Sequence, residues 1–250
     1  MLIEADASGL EVVAVAYLSQ DPTLCEELRQ GIDIHGNNQA RLKLPTRVIA
    51  KIFVFRLIYG GNEYSYSYDP DFNWISTNPK FWKSIIDAFY TKYTGIAKWH
   101  AQIIEQAKLT SGYRSPMGRM YHYEPKQDSW GNWKWPITQI LNYPVQGFGA
   151  DLMTIARISA RNRLGGQVDN LNRPLLFINT VHDSIGLDSP PELVYTSCIT
   201  LEKVFEDIPR NFEKLFKTPF GLPMKGEIKY GLNWKDMRKF NKEEGIIIAN

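Results

Sequence analysis

Leu175-Leu176-Phe177-Ile178-Asn179-Thr180-Val181-His182-Asp183-Ser184-Ile185-Gly186-Leu187 consists of two β-rich runs parted by three polar residues. That pattern predicts a strand–turn–strand hairpin over about 175–187, with His182, Asp183 and Ser184 at its tip. At the other end of the chain, Leu2-Ile3-Glu4-Ala5 reads as a short buried strand that delivers Asp6 at its end. A helix follows, because Leu10, Val13, Ala14, Tyr17 and Leu18 recur at helical spacing. Ser8 and Glu11 have the spacing of a capping box at its start. Asp21-Pro22 breaks the pattern.

Further helices are expected over about 46–59, introduced by Pro45 and stopped by Gly60-Gly61, and over most of 79–109. Residues 111–135 are turn-rich with short strands. Another helix starts near Gln146 and ends near Gly165-Gly166, residues 192–216 are helical, and 224–234 form a last strand and loop. Strands at both ends with helices between them predict an α+β fold carrying a helical insertion.

Two carboxylates, Asp6 and Asp183, thus fall at strand ends far apart in sequence. An ionised carboxylate in such a place is costly unless a cation or hydrogen bonds compensate it. On neighbouring strands the two would hold a pair of divalent cations about 4 Å apart, the arrangement that clamps attacking and leaving oxygens in phosphoryl transfer. The plainer reading is that each Asp caps a turn. In the helix over 46–59, Arg47, Lys51, Phe55 and Tyr59 repeat every fourth residue and share one side. Two cations followed by two aromatics suit a triphosphate at one end and a sugar and base at the other. A solvated basic face above a packed core accounts for the same spacing.

The composition permits either function. The 250 residues are 44% hydrophobic and 22% charged, enough for a large core, and a net charge of +2 neither requires nor excludes nucleic acid. Cys25 and Cys198 lack metal-ligand spacing and read as reduced thiols. No apolar run approaches the roughly 20 residues of a membrane helix, and the opening MLIEADASG lacks the features of a signal peptide. A cytoplasmic protein with no membrane partner is expected. Aromatic stretches such as Phe72-Asn73-Trp74 and Trp130-Gly131-Asn132-Trp133-Lys134-Trp135 suit either base stacking or loops anchored on a core.

Taken in order, these segments resemble family A DNA polymerases, in the form used by their bacteriophage branch. Asp6-Ala7-Ser8-Gly9-Leu10-Glu11 is similar to motif A. Arg47-Val48-Ile49-Ala50-Lys51, continuing to Phe55 and Tyr59-Gly60, resembles motif B, and Thr180-Val181-His182-Asp183-Ser184 resembles motif C. Asp33-Ile34-His35, Leu44-Pro45-Thr46-Arg47, Tyr113 to Arg119, Asn142-Tyr143-Pro144-Val145-Gln146-Gly147 and Gly231-Leu232-Asn233-Trp234 add to the match. The resemblance implies a palm sheet with a helical fingers insertion: palm over 1–30, fingers over 31–135 and palm again over 136–250.

The implied reaction is DNA-templated transfer of a dNTP to a primer 3′-OH. Asp6, Asp183 and the backbone carbonyl of Ala7 would hold two Mg²⁺ ions, for which Mn²⁺ can substitute. Arg47, Lys51 and His35 would contact the triphosphate, with Lys51 protonating the departing pyrophosphate. Phe55 would pack on the sugar, Tyr59 beside the base pair, and Glu11 against the 2′ position. Asn142, Gln146 and His182 would meet the primer–template.

Three positions depart from the family pattern: Ser184 in place of a second acid, Val48 in place of a second Arg, and Thr138 in place of an upstream Arg. A single-subunit RNA polymerase is the enzymatic rival, opposed by Glu11, Phe55 and the Asn142–Gly147 segment. The resemblance begins at motif A, so the thumb, the first part of the palm and any exonuclease domain are expected to be absent. The chain then reads as one half of a split or truncated polymerase; the alternative is a non-catalytic or conditionally active subunit that needs a second polypeptide to supply the rest. A strand starting at Leu2 is expected to lack neighbours.

Overall fold

The computed structural model describes residues 1–247. In chain order β1 (Leu2–Ala7) is followed by α1 (Leu10–Ser19), α2 (Pro22–Arg29), α3 (Ile34–Leu42) and α4 (Arg47–Ile58). Next come α5 (Glu63–Tyr68), α6 (Pro79–Lys92) and α7 (Thr94–Thr110), then the short strands β2 (Gly112–Arg114), β3 (Met120–His122), β4 (Lys126–Gln127) and β5 (Trp133–Lys134). The long helix α8 (Ile137–Leu164) precedes β6 (Leu176–Asn179) and β7 (Ser184–Asp188). Helices α9 (Val194–Glu206) and α10 (Ile208–Phe216) and strands β8 (Gly226–Gly231) and β9 (Arg238–Lys239) complete the order. The chain divides into two compact units, one formed by Met1–Leu10 with the chain from Gly149 onward, the other by Glu11–Phe148.

In the first unit the strands form one antiparallel sheet, ordered β6-β7-β1-β8-β9. Strand β1 shows the two-residue alternation of a half-covered strand: Ile3, Ala5 and Ala7 are buried, while Glu4 and Asp6 face the other side. Ile185, Leu187, Ile228 and Tyr230 extend the buried side across the neighbouring strands. Val194, Cys198, Leu201, Val204 and Phe205 of α9 are buried, and α9 packs on β1 and β8. The expectation that the first strand lacks neighbours is corrected, because β7 and β8 flank it on both sides and the edges of the sheet are β6 and β9.

The second unit is built on aromatic packing. Phe53, Tyr66, Phe72, Trp82 and Phe89 are fully buried, with Trp82 stacked on Tyr66 at 5.3 Å and edge-on to Phe72 at 5.4 Å. Their polar atoms are satisfied internally: Tyr66 Oη donates to the Phe53 carbonyl and Trp82 Nε1 to that of Ser76. Buried Asp21 joins two helices. Its Oδ1 accepts from Leu24 N in the first turn of α2, and its Oδ2 accepts from Gly95 N at the start of α7.

Two local expectations need correction. Helix α1 begins at Leu10, after Gly9 at φ +64°, so Ser8 is not the cap residue and the box register fails. Helix α8 begins at Ile137 rather than near Gln146 and continues through Pro144. Proline inside a helix costs about 3 kcal/mol. Burial of Ile140, Leu141, Val145 and Phe148 on either side of it offsets that cost. Cys25 and Cys198 are free and buried. Among the described residues no helix is long and apolar enough to cross a membrane.

Candidate active site

In the first unit the hairpin β6–β7 delivers Asp183 beside β1. Asp6 sits in register with Ser184 on β7 and with Glu227 on β8, and Glu4 lies opposite Lys229. Ala7 N donates to the Asp183 carbonyl at 2.9 Å, which fastens the end of β1 to the hairpin turn. The turn is closed from within: Ser184 N and Oγ both donate to the Val181 carbonyl, at 2.8 and 3.0 Å. Ser184 is therefore a buried turn-builder and not a substitute ligand. His182 is exposed at the tip with φ +49°, and Arg157 Nη2 donates to its carbonyl at 3.3 Å.

Burial, then the carboxylates of Asp183 and Glu4, push Asp6 up to about 6. A dication relieves such crowding, and two carboxylates with oxygen donors from backbone, water and phosphate are the usual environment of Mg²⁺. Among the described residues no group of three His, Cys, Asp or Glu side chains is placed to hold a metal. The crowded pair Asp6 and Asp183 is a donor set that suits a dication.

In the second unit α3 and α4 bring four of the expected residues together. Arg47, Lys51, Phe55 and Tyr59 occupy the open side of α4, while Ala50, Phe53, Val54, Leu57 and Ile58 are buried. The helix starts where Thr46 Oγ1 accepts from Ile49 N, which leaves Arg47 in the first turn. Phe55 and Tyr59 are half-buried on this stripe rather than in the core. The His35 ring lies 5.4 Å from that of Phe55, and Lys51 Nζ lies 5.9 Å from the same ring. Burial, aided by the Arg47 and Lys51 cations, pulls His35 down to about 4, so at neutral pH it is an uncharged imidazole. Its Nδ1 is buried and unpartnered. The Arg47 fork is taken by Asp33, with Nε donating to Oδ2 at 2.7 Å and Nη2 to Oδ1 at 2.9 Å.

One turn beyond Phe55 lies a second cluster. Tyr59 Oη donates to Glu11 Oε1 at 2.7 Å, and Gln146 Nε2 donates to the same oxygen at 2.5 Å and to Tyr59 Oη at 2.9 Å. Burial and the Glu11 carboxylate raise the Tyr59 phenol further, so it remains a donor. The Gln146 amide, expected at the primer–template, is engaged here by protein groups. Asn142 lies one turn earlier on α8, with its Oδ1 buried and unpartnered.

Sequence reasoning passed over Asp33 as a site residue, although an acid fourteen positions before the first helix cation was visible. It also passed over Glu227, which only the strand register sets beside Asp6. The aromatic stretches divide. Phe72 is a core anchor, whereas Trp74, Trp130 and Trp133 are exposed.

Comparison with known proteins identifies the family and the fold. The profile of DNA polymerase family A matches residues 1–236. DNA polymerase I of Chloroflexus aurantiacus is 26% identical over 243 residues, covering 94% of this chain and 24% of that protein. The Geobacillus stearothermophilus enzyme is 24% identical over 248 residues, covering 95% and 26%. This chain therefore spans about a quarter of the length of these relatives. In fold it is similar to the POL domain of Pol1 from M. smegmatis, solved with DNA primer-template and dNTP, at a TM-score of 0.74 and 18% identity. That likeness covers 93% of this chain and 40% of the other.

Proposed function

The chain belongs to DNA polymerase family A, and from that premise we propose that it is the nucleotidyl-transferring part of a DNA-directed DNA polymerase. The observation that carries the reading is the fastening of β1 to the β6–β7 turn, which sets Asp183, in that turn, beside the strand that carries Asp6. In this reading 1–30 and 136–250 are palm and 31–135 are fingers. Bound Mg²⁺ supplies charge neutralisation at the transferring phosphate and favours the ionised 3′-OH. Asp6, Asp183 and the Ala7 carbonyl would hold the two ions. Arg47 and Lys51 grip the triphosphate, and Lys51 delivers a proton to the departing pyrophosphate. Neutral His35 donates a hydrogen bond to the same tail without adding charge. Phe55 packs on the sugar, and Tyr59 closes the base end.

Glu11 forms the wall against a 2′-OH. Its carboxylate is held by Tyr59 and Gln146, and a held wall discriminates better than a mobile one. This favours dNTPs and argues against the RNA polymerase reading. Gln146 changes partners when Asn142, Gln146 and His182 meet primer–template. The Asp33-Ile34-His35 and Asn142–Gly147 segments favour the bacteriophage branch. Because the chain corresponds to about a quarter of its relatives, the grip on duplex DNA comes from further polymerase segments, in this or a second polypeptide. Activity is then conditional on them.

Primer extension with Mg²⁺ tests the proposal, using the chain alone and with those segments supplied. Templated dNTP addition that disappears in Asp6→Ala and Asp183→Ala is the expected result. Extension insensitive to both substitutions would sink it. Running rNTPs beside dNTPs separates the two polymerase readings.

A further inference from the structure

The Asp33–Arg47 pair has features of an exchangeable contact rather than a structural brace. Both side chains are about half exposed, at 51% and 55%, so the pair is weak despite its two-pronged geometry. Arg47 is in the first turn of α4 and Asp33 is the residue before α3, so neither lies within a packed interior. Besides Arg47, the Gly36 and His35 backbone amides in the first turn of α3 interact with the Asp33 carboxylate. The Arg47 guanidinium holds the carboxylate down at about 2, so the pair stays ionised through the neutral range. The close approach is built in: a Cβ on Gly36 would stand 2.6 Å from Asp33 Oδ2. The fork that accepts two carboxylate oxygens accepts two phosphate oxygens in the same manner.

We propose that Asp33 is a positioning residue that occupies the Arg47 fork in the nucleotide-free protein and is exchanged for the incoming triphosphate. Gly36 supplies the space that lets it do so. The inference rests on the reading of Arg47 as a triphosphate contact. Asp33 keeps the guanidinium aimed at the open side of α4 beside His35 and Lys51. It also makes entry conditional on an anion that offers two oxygens and more charge than one carboxylate. A polyphosphate tail meets that condition better than a monophosphate. Asp33 thereby sets selectivity as well as position.

The test is calorimetric binding of Mg·dATP, inorganic tripolyphosphate and inorganic phosphate to the full chain and three variants. Asp33→Asn keeps a good helix-start residue but removes the competing charge. Gly36→Ala keeps the charge but pushes the carboxylate off the fork. Both should tighten dATP and tripolyphosphate by about two- to fivefold, the size of an exposed ion pair. Both should narrow the preference for tripolyphosphate over phosphate, and Arg47→Ala should weaken both polyphosphates. Tightening in Asp33→Asn but not in Gly36→Ala would reveal simple charge repulsion and overturn the exchange. So would unchanged or weaker binding in both while Arg47→Ala still weakens it. If Arg47→Ala has no effect, or no protein binds any probe, the triphosphate role of Arg47 fails and the exchange fails with it. Unchanged circular dichroism of Gly36→Ala guards against a folding artefact.

Discussion

The carboxylate-bearing sheet and the cation-bearing helix solve opposite electrostatic problems. On the sheet, burial and then the neighbouring acids Asp183 and Glu4 push Asp6 up to about 6. On the helix, Arg47 already has an acid in its fork, and nearby His35 is kept neutral by burial and by cations. One region is charged in excess and waits for a counter-ion, while the other is balanced and must exchange a partner. Metal should therefore change the stability of the sheet, and nucleotide should change contacts on the helix.

The largest effect that could break this comparison is on the chemistry. Asp6→Ala or Asp183→Ala should lower primer extension by about 10³-fold or more without unfolding the protein, as activity and circular dichroism together would show. Lys51→Ala should lower kcat by about 10²-fold or more if it is the general acid. Single-turnover rates would show it, and an unchanged kcat would remove Lys51 from that role. Glu11→Ala should reduce discrimination against rNTPs by about 10- to 100-fold. Tyr59→Phe, which removes one hydrogen bond from the Glu11 wall, should reduce it less, by about fivefold. Paired dNTP and rNTP insertion rates check both.

The smallest effect is thermodynamic and sharpens the comparison most. Asp6 takes up a proton near 6 in the fold, against an ordinary 3.8. Its contribution to stability is therefore fully present below about 3.8 and lost as the pH rises through about 6. In EDTA, Asp6→Asn should flatten the pH dependence of Tm across that window. At pH above the window, Mg²⁺ should raise the Tm of the natural chain and leave that of Asp6→Asn nearly unmoved. Equal response of both proteins would show that the sheet does not hold the ion.

Most of the architecture was legible because it rests on local signals. Alternation in Leu2–Ala7, the hairpin about His182-Asp183-Ser184, and the four-residue repeat of Arg47, Lys51, Phe55 and Tyr59 each specify an element on their own. What escaped depends on partners distant in sequence. The start of α8 was obscured by Pro144, whose local preference is overridden by burial of Ile140, Leu141, Val145 and Phe148. Ser8 and Glu11 matched a capping box by spacing, yet Glu11 spends its carboxylate on Tyr59 and Gln146, 48 and 135 residues away. Asp33 carried no site signal of its own and pairs with Arg47, 14 residues on. In each case the local pattern is silent or misleading, and only tertiary packing decides.

The central place of β1 carries a consequence for synthesis. Its neighbour β7 emerges roughly 180 residues after it and β8 later still. At about 5–20 residues per second, the ribosome leaves this strand without its sheet for roughly 10–40 s. Glu11–Phe148 is continuous and can close its aromatic core during that wait, whereas the sheet cannot assemble until β7 and β8 have emerged. Leu2–Ala7, with one apolar face, is thus open to mispairing or chaperone capture during that wait, and the site carboxylate Asp6 reaches its final surroundings only when β7 and β8 arrive.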